Sequence, residues 1–89
     1  MGYRFEWDEA KRTANLAKHG VDFADVTAFD LLAAIVIRDD RRDYGEERLR
    51  AYVRHAGTGY ALSFTWRGAA MRIISMRRAR EREMRRYGL

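Results

Sequence analysis

The sequence predicts an α+β domain: two N-terminal helices packed on one face of an antiparallel β-meander, with a C-terminal helix after it. Helical spacing and capping residues occur in the first third of the chain and again at its end. After residue 33 the apolar period changes to two, and turn residues divide the rest of the chain into strands. With 89 residues the chain is near the lower limit for one core, so we expect a single domain over residues 1–89.

The first third predicts a short strand and a capped helix. Aromatic and charged residues alternate over residues 3–7, as in a strand. Asp8 is a suitable N-cap for a helix running to about Lys18, and Gly20 ends it in the left-handed conformation. The predicted apolar face of this helix consists of Ala10, Ala14 and Ala17.

The remaining elements are predicted from turn chemistry and alternation. Asp22 opens a second helix that ends near Phe29, and Val21 and Val26 are spaced as a hydrophobic staple around its start. Strands are predicted at residues 33–38, 47–54, 60–66 and 72–77, and a strongly charged final helix at 79–87. On that helix Met84 and Tyr87 are spaced for packing.

Alternation divides the predicted sheet into two faces. If the helices cover one face, it takes Leu49, Leu62, Phe64 and Ile74. The opposite face then carries arginines, hydroxyls and a tyrosine: Arg48, Arg50, Tyr52, Ser63, Thr65, Ser75 and Arg77. Arg72 alternates onto the other face, at an edge. One strand with outward arginines is typical of a solvated face, but three neighbouring strands with such residues are harder to explain by solvation.

Composition limits the classes of function. The net charge is +5 and the pI about 10.1, which favours polyanions, although a basic balance also serves solubility alone. There is no cysteine, and the two histidines lie far apart, so we expect no disulfide, no metal site and no cofactor. No apolar run is long enough for a membrane span and no signal peptide opens the chain, so a cytoplasmic protein is expected.

The segment DDRRDYGEERLR, residues 39–50, has nine charged side chains in twelve residues. It is either a solvated loop or a loop whose arginines face an anion. Glu46 and Glu47 could pair with Arg48 and Arg50, or Glu47 could be a general base.

Arginine forks match phosphate oxygens, and a tyrosine such as Tyr52 can stack on an exposed RNA base. Cleaving RNA requires removing a proton from a 2′-hydroxyl, stabilising the charge at phosphorus and protonating the leaving oxygen. Alternation does not separate RNA binding from RNA cleavage. His19 has two interpretations as well, since Lys18 and His19 at a helix C-terminus complement its dipole, or His19 takes part in proton transfer.

Three blocks of the sequence resemble the signature blocks of the BrnT family of toxins: FEWDEAKRTANLAKHGVDF (5–23), DDRRDYGEER (39–48) and RIISMRRARERE (72–83). The resemblance implies a type II toxin–antitoxin system and a RelE-like fold. It implies a metal-independent ribonuclease that blocks translation. It also implies neutralisation by a BrnA antitoxin, which carries the DNA-binding domain, in a heterotetramer with two copies of each protein.

The motif positions that the resemblance marks are Lys18, His19, Glu47, Arg48, Arg72, Arg77 and Arg78. On the predicted sheet face, Arg48 and Arg77 hold the scissile phosphate, and Glu47 or His19 is the acid or base. The expected RNA-binding residues are Lys18, Arg50, Tyr52, Arg72, Ser75 and Arg78. Met76 departs from the usual Ser-Ala-Arg-Arg of the last block, a change expected to affect packing alone.

Two other functions remain open at this point. One is a non-catalytic RNA- or protein-binding module. The other is a structural subunit whose basic face holds an acidic segment of the antitoxin. Replacing Arg77 distinguishes them, because only a nuclease loses toxicity while keeping its fold and its antitoxin.

Overall fold

A single five-stranded sheet, in the order β1-β5-β4-β3-β2, forms the centre of the molecule. The computed structural model describes residues 4–89, so Tyr3 of the predicted first strand lies outside the described residues. The elements in chain order are β1 (Arg4–Glu6), α1 (Glu9–His19), two 3₁₀ helices (Phe23–Ala28 and Leu31–Ala33), β2 (Ile35–Arg38), β3 (Leu49–His55), β4 (Thr58–Arg67), β5 (Ala70–Arg78) and α2 (Glu81–Arg86).

The antiparallel meander from β2 to β5 is confirmed, but the sheet as a whole is mixed. β1 pairs with β5 in parallel, which corrects the prediction of a purely antiparallel sheet. A strand of three residues has no pattern that reveals its direction or its neighbour in the sheet. The second predicted helix is a 3₁₀ helix, Phe23–Ala28, which Asp22 caps by accepting from the Ala24 N–H at 3.0 Å.

α1 begins and ends where the sequence predicts, but it faces the sheet differently. Asp8 accepts hydrogen bonds from the backbone of Ala10 and Lys11, and Gly20 has φ 69°. The predicted alanine face is wrong, since Ala10, Ala14 and Ala17 are all exposed. The buried or half-buried positions of α1 are instead Arg12, Asn15 and His19, a polar stripe at spacings of three and four. α1 is therefore held by polar contacts rather than by an apolar face.

The buried side-chain amide of Asn15 makes the main polar contacts of α1. Its Nδ2 donates to the carbonyls of Val21 at 3.0 Å and Met76 at 2.8 Å, and its Oδ1 accepts from the Met76 N–H at 3.1 Å. β1 pairs with β5 only over Ala70–Arg72, so the Asn15 amide takes the place of a neighbouring strand at Met76. The C-terminal half of α1 is thereby fixed to the second half of β5.

β5 contains a bulge that changes the face of the sheet on which some of its side chains lie. Phe64 pairs with Ile73 while the preceding residue Ser63 pairs with Ser75, so Ile74 is an extra residue. Ile73 lies in the core at 1% exposure, and Ile74, which alternation assigned to the core, is half-buried. A bulge changes the side on which every later residue falls, and a strict period of two does not reveal it.

The same bulge corrects the prediction for Arg72. Arg72 pairs with Thr65, so it lies on the polar face of the sheet rather than on the helix-covered face. Its guanidinium is 3.4 Å from Glu6 of β1. Arg72 is therefore on the predicted RNA-facing side but toward the β1 edge.

The two faces of the sheet carry separate apolar clusters. The larger lies between the sheet and the N-terminal segments, and its buried members are Val21, Phe23, Val26, Phe29, Ala51, Val53, Leu62, Phe64, Met71, Ile73 and Met76. The smaller joins Tyr52 and Ala61 to Met84 of α2. α2 thus packs on the face opposite the 3₁₀ helix, over part of the polar face that the sequence predicted to be open.

Met84 and Tyr87 confirm the prediction that they serve packing. Met84 is fully buried, and the Tyr87 ring stacks on Tyr52 with 4.3 Å between ring centroids. A β-carbon at Gly59 would lie 2.5 Å from Met84 Cγ, so glycine at this position leaves the space that α2 needs. Arg54 adds an ion pair to Glu81 of α2 at 2.7 Å.

Asn15→Ala should lower the free energy of unfolding by about 2–3 kcal/mol, because it leaves the Met76 N–H and C=O buried without partners. Urea unfolding followed by circular dichroism measures the change. Thr13→Ala, at an exposed position of α1, is the matched control and should stay within about 0.5 kcal/mol of the parent. Equal stabilities for the two variants would contradict the role assigned to the Asn15 amide.

Candidate nucleic-acid interface

Two adjacent basic cavities lie where the end of α1 meets β5. The first, here the terminal cavity, has a volume of about 590 Å³ and is lined by Lys18, His19, Arg77, Arg78, Arg80, Arg82, Glu83 and Arg86. The second, here the sheet cavity, has about 600 Å³ and is lined by Lys18, His19, Asp39, Arg41, Arg42, Tyr44, Arg48, Arg50, Ala61, Leu62, Ser63, Ile74, Ser75, Met76 and Arg77. Lys18, His19 and Arg77 line both, so the cavities adjoin as one basic groove.

The Asn15 contact explains why these residues meet. Lys18 and His19 are in the last turn of α1, three and four residues after Asn15, and Arg77 follows Met76 directly. Joining Asn15 to Met76 therefore brings a lysine, a histidine and an arginine from distant parts of the sequence to one place. Predicted site residues at the groove are Lys18, His19, Arg48, Arg50, Ser75, Arg77 and Arg78.

Arg77 is oriented by α2. Its Nη1 and Nη2 donate to the two carboxylate oxygens of Glu83 at 2.9 and 2.8 Å. This pairing raises the pKa of Arg77 and lowers the pKa of Glu83. The Arg77 side chain remains 40% exposed, so a fixed cation still faces the groove.

Arg48 and Arg50 have donors that the protein leaves unused. Arg48 lies over the ring of Tyr44, 4.1 Å from its centroid, and 3.6 Å from Glu46. Arg50 Nη1 donates to the Tyr52 hydroxyl at 3.0 Å. The Nε atoms of both arginines are buried and donate to no acceptor among the described residues. Both side chains are half-buried and line the sheet cavity, and a guanidinium fork suits phosphate oxygens.

The charged loop is an ordered part of the site. Asp39 is buried and accepts from Arg41 Nε and Nη2, both at 2.8 Å, and from the Tyr44 hydroxyl at 3.2 Å. The bonds from Arg41 hold the pKa of Asp39 well below its usual range. Asp39 thus organises the loop, and the loop places Arg41, Arg42 and Tyr44 on the sheet cavity.

Tyr52 is not available as the base-stacking residue that the sequence predicted. It is fully buried, Tyr87 covers its ring, and its hydroxyl donates to Glu83 at 3.4 Å. This burial raises the pKa of Tyr52. Alternation correctly assigned Tyr52 to the polar face but gave no sign that α2 covers it. The tyrosine at the cavity is Tyr44 instead.

Glu47 and Arg72 lie outside the groove. Glu47 is exposed and lines a third cavity of about 330 Å³ within the charged loop. The Thr65 hydroxyl donates to the backbone carbonyl of Glu47 at 2.6 Å. The proton of this hydroxyl, which the sequence placed on the polar face, is therefore already used within the protein. Of the two glutamates, Glu46 forms an ion pair with Arg48, as one of the two interpretations of this acidic pair expected. Arg72 forms its ion pair with Glu6 of β1.

Several groove residues were not predicted from the sequence: Arg41, Arg42, Tyr44, Arg80, Arg82 and Arg86. A signal was present for Arg82 and Arg86, because they follow Arg78 at intervals of four residues into the predicted final helix. The loop residues had no periodic signal. Their positions depend on Asp39.

The described part of the chain has neither a metal-binding cluster nor a membrane-spanning helix. Residues 4–89 contain no group of three or more His, Asp or Glu side chains arranged to hold a metal ion. No helix in that same range combines the length and the apolar character needed to cross a membrane.

The fold and groove define a small α+β protein with a site suited to a polyanion. Comparison with family models makes the class specific, since residues 7–83 match the family described as "Ribonuclease toxin, BrnT, of type II toxin-antitoxin system". The chain belongs to the BrnT family, as the three sequence blocks predicted. Family membership supports an RNA substrate and an antitoxin partner.

A structural comparison agrees with this assignment. The chain is similar to the crystal structure of the Brucella abortus ribonuclease toxin BrnT, at 1.1 Å resolution, with 38% sequence identity and a TM-score of 0.71. The match covers 89% of this chain and 99% of the Brucella chain. No curated protein sequence matches this chain significantly.

Asp39→Asn should destabilise the protein at neutral pH, and the difference from the parent should shrink as the pH falls below 3.8, the ordinary value for the Asp39 pKa. The folded-state pKa is lowered, so the stabilisation is present above the unfolded value and is lost on acidification toward the folded value. Urea unfolding at pH 7 and at successively lower pH measures it. Asp40→Asn, at the exposed neighbouring carboxylate, is the control and should have little effect.

Proposed function

We propose that this chain is a metal-independent endoribonuclease toxin with a RelE-like use of its sheet, acting in the cytoplasm to inhibit translation. It cleaves RNA in the sheet cavity. A BrnA-like antitoxin neutralises it in a complex of two toxins and two antitoxins, and the pair contacts DNA only through the antitoxin. The observation that carries this proposal is the convergence of Lys18, His19 and Arg77 beside Arg48 and Arg50 in one groove.

In the proposed reaction Arg48 and Arg77 hold the scissile phosphate. Both side chains line the sheet cavity. The guanidinium fork of Arg48 suits the oxygens of a phosphoryl group, and Arg77, whose two Nη atoms hold Glu83, adds its positive charge and its remaining N–H groups. Negative charge grows on those oxygens as the 2′-hydroxyl attacks. Two cations already fixed by Tyr44 and Glu83 stabilise that charge without having to reorganise.

His19 is the proposed proton carrier. It lines both cavities and is half-buried, whereas the carboxylate of Glu47 lies in the charged loop. An imidazole exchanges a proton readily near neutral pH, as removing the 2′-hydroxyl proton or protonating the leaving oxygen requires. Glu47 therefore no longer has a proposed part in the chemistry.

The remaining predicted residues that line the groove have a binding role in this proposal. Arg50 and Ser75 in the sheet cavity and Lys18 and Arg78 toward the terminal cavity hold the RNA backbone on either side of the cut. Their exposed or half-buried side chains leave donors for phosphate oxygens.

The second candidate is a non-catalytic module of the same fold that binds RNA or the antitoxin. It has one specific observation in its favour, the bidentate Glu83–Arg77 pair. The Glu83 carboxylate occupies the two donors with which Arg77 could bind a phosphate in bidentate fashion, and an acidic partner would be held in the same way.

Arg77→Ala should lower the rate of RNA cleavage by about 10²–10³-fold, because it removes one of the two cations that stabilise the charged phosphate. Cleavage of a labelled RNA by purified protein measures the rate, with EDTA in parallel reactions. Glu83→Gln is the matched control, since it removes the same ion pair but keeps the arginine. Equal losses in both variants would point to a structural role for the pair, and loss of the parent activity with EDTA would reject metal independence.

His19→Gln should lower kcat by about 10²–10⁴-fold without a comparable change in unfolding midpoint, because the proposal makes its imidazole a proton carrier. If His19 only complements the helix dipole, the variant loses about 0.3–1 kcal/mol of stability and keeps its activity. Single-turnover cleavage and thermal unfolding of the same preparation decide between these results.

A further inference from the structure

The terminal cavity holds a concentration of cations that the protein does not neutralise. Among the described residues, those lining this cavity with no carboxylate within ion-pair distance are Lys18, Arg78, Arg80, Arg82 and Arg86. The cavity's carboxylate, Glu83, is already committed to Arg77.

Elsewhere among the described residues the arginines are of both kinds, and Arg4, Arg67 and Arg85 are scattered arginines without a carboxylate in ion-pair distance. Arg12, Arg38, Arg41, Arg54 and Arg72 each have a carboxylate partner within 3.4 Å. Like charges gathered around one cavity repel one another, and this repulsion is relieved when a polyanion binds. What marks the terminal cavity is that five unpaired cations of the described chain line one concave surface whose carboxylate, Glu83, is taken by Arg77.

We propose that the terminal cavity is a second backbone subsite for single-stranded RNA, in which Arg80, Arg82 and Arg86 bind phosphates beside the cut. This inference rests on the proposed function and extends it. Lys18, His19 and Arg77 line both cavities, so an RNA strand lying in the sheet cavity continues past them into the terminal cavity. The subsite makes no use of base identity, because its side chains are suited to phosphates.

RNA fits this surface better than a compact anion does. Arg80, Arg82 and Arg86 are exposed and lie on the last part of the chain, where α2 presents two of them one turn apart. A row of long, flexible cations beside a groove follows a backbone with repeated charges. A single small anion would leave most of the row without a partner.

The test is binding of a single-stranded RNA of about 12 nucleotides, 2′-O-methylated throughout so that it cannot be cleaved. The variant is R82Q/R86Q, and the matched control is R4Q/R67Q, which removes the same charge from exposed arginines outside both cavities. Affinity is measured over a range of salt concentrations, and thermal unfolding checks that all three proteins are folded.

We expect R82Q/R86Q to weaken binding by roughly 10–30-fold near 0.1 M salt and to reduce the salt slope by about 1.4, as loss of two phosphate contacts predicts. R4Q/R67Q should change both far less. Equal weakening in the two variants overturns the subsite. So does a loss of affinity for polyglutamate without a loss for RNA, which would assign the surface to an acidic protein.

The two proposals fail separately in this design. A parent protein that binds the modified RNA with the expected difference between variants, but does not cut unmodified RNA, contradicts the proposed cleavage and leaves the subsite standing. A parent protein that cuts RNA while both variants bind it equally contradicts the subsite alone.

Discussion

The buried amide of Asn15 is the interaction on which the arrangement of this protein depends. α1 has no apolar face against the sheet, and its single buried residue is this asparagine. By pairing with both backbone groups of Met76, the amide acts as a short piece of neighbouring strand, and its bond to the Val21 carbonyl also fixes the chain just after the helix. A polar contact of this kind fixes rotation and register more strictly than an apolar one, because its donors and acceptors have directions. The positions of Lys18 and His19 relative to Arg77 depend on it.

Much of the fold was predictable because it is local. Capping by Asp8, the left-handed Gly20 and the meander from β2 to β5 each depend on neighbouring residues. The errors came from long-range effects. The bulge at Ile74 moved Ile73 into the core and Arg72 to the polar face, and the parallel pairing of β1 depends on a crossover that no short pattern encodes. The docking of α2 on the polar face is a third such effect, and it buried Tyr52.

Part of the candidate site was predictable from the sequence, some residues from strand alternation and others from the family resemblance. Alternation predicted one face of the sheet that carries Arg48, Arg50, Ser75 and Arg77, and the family resemblance added Lys18 and His19. The charged loop could not be interpreted from its composition, since nine charges of mixed sign fit solvent as well as an anion. Its conformation depends on the burial of Asp39, which selects Arg41 and Tyr44 as partners and leaves Arg42 for the cavity. Which of several similar carboxylates is buried depends on tertiary packing.

α2 connects the stability of the protein to its groove. A helix of six residues does not persist alone in water, so its conformation depends on Met84 and Tyr87 packing over Gly59 and Tyr52. The same helix supplies Glu83, whose carboxylate orients Arg77, and two exposed cations of the terminal cavity, Arg82 and Arg86. The apolar packing of α2 and the charged contacts that it makes are therefore interdependent. A change that loosens Met84 from Gly59 alters the groove without touching a charged residue, because the terminal cavity exists only while α2 is docked.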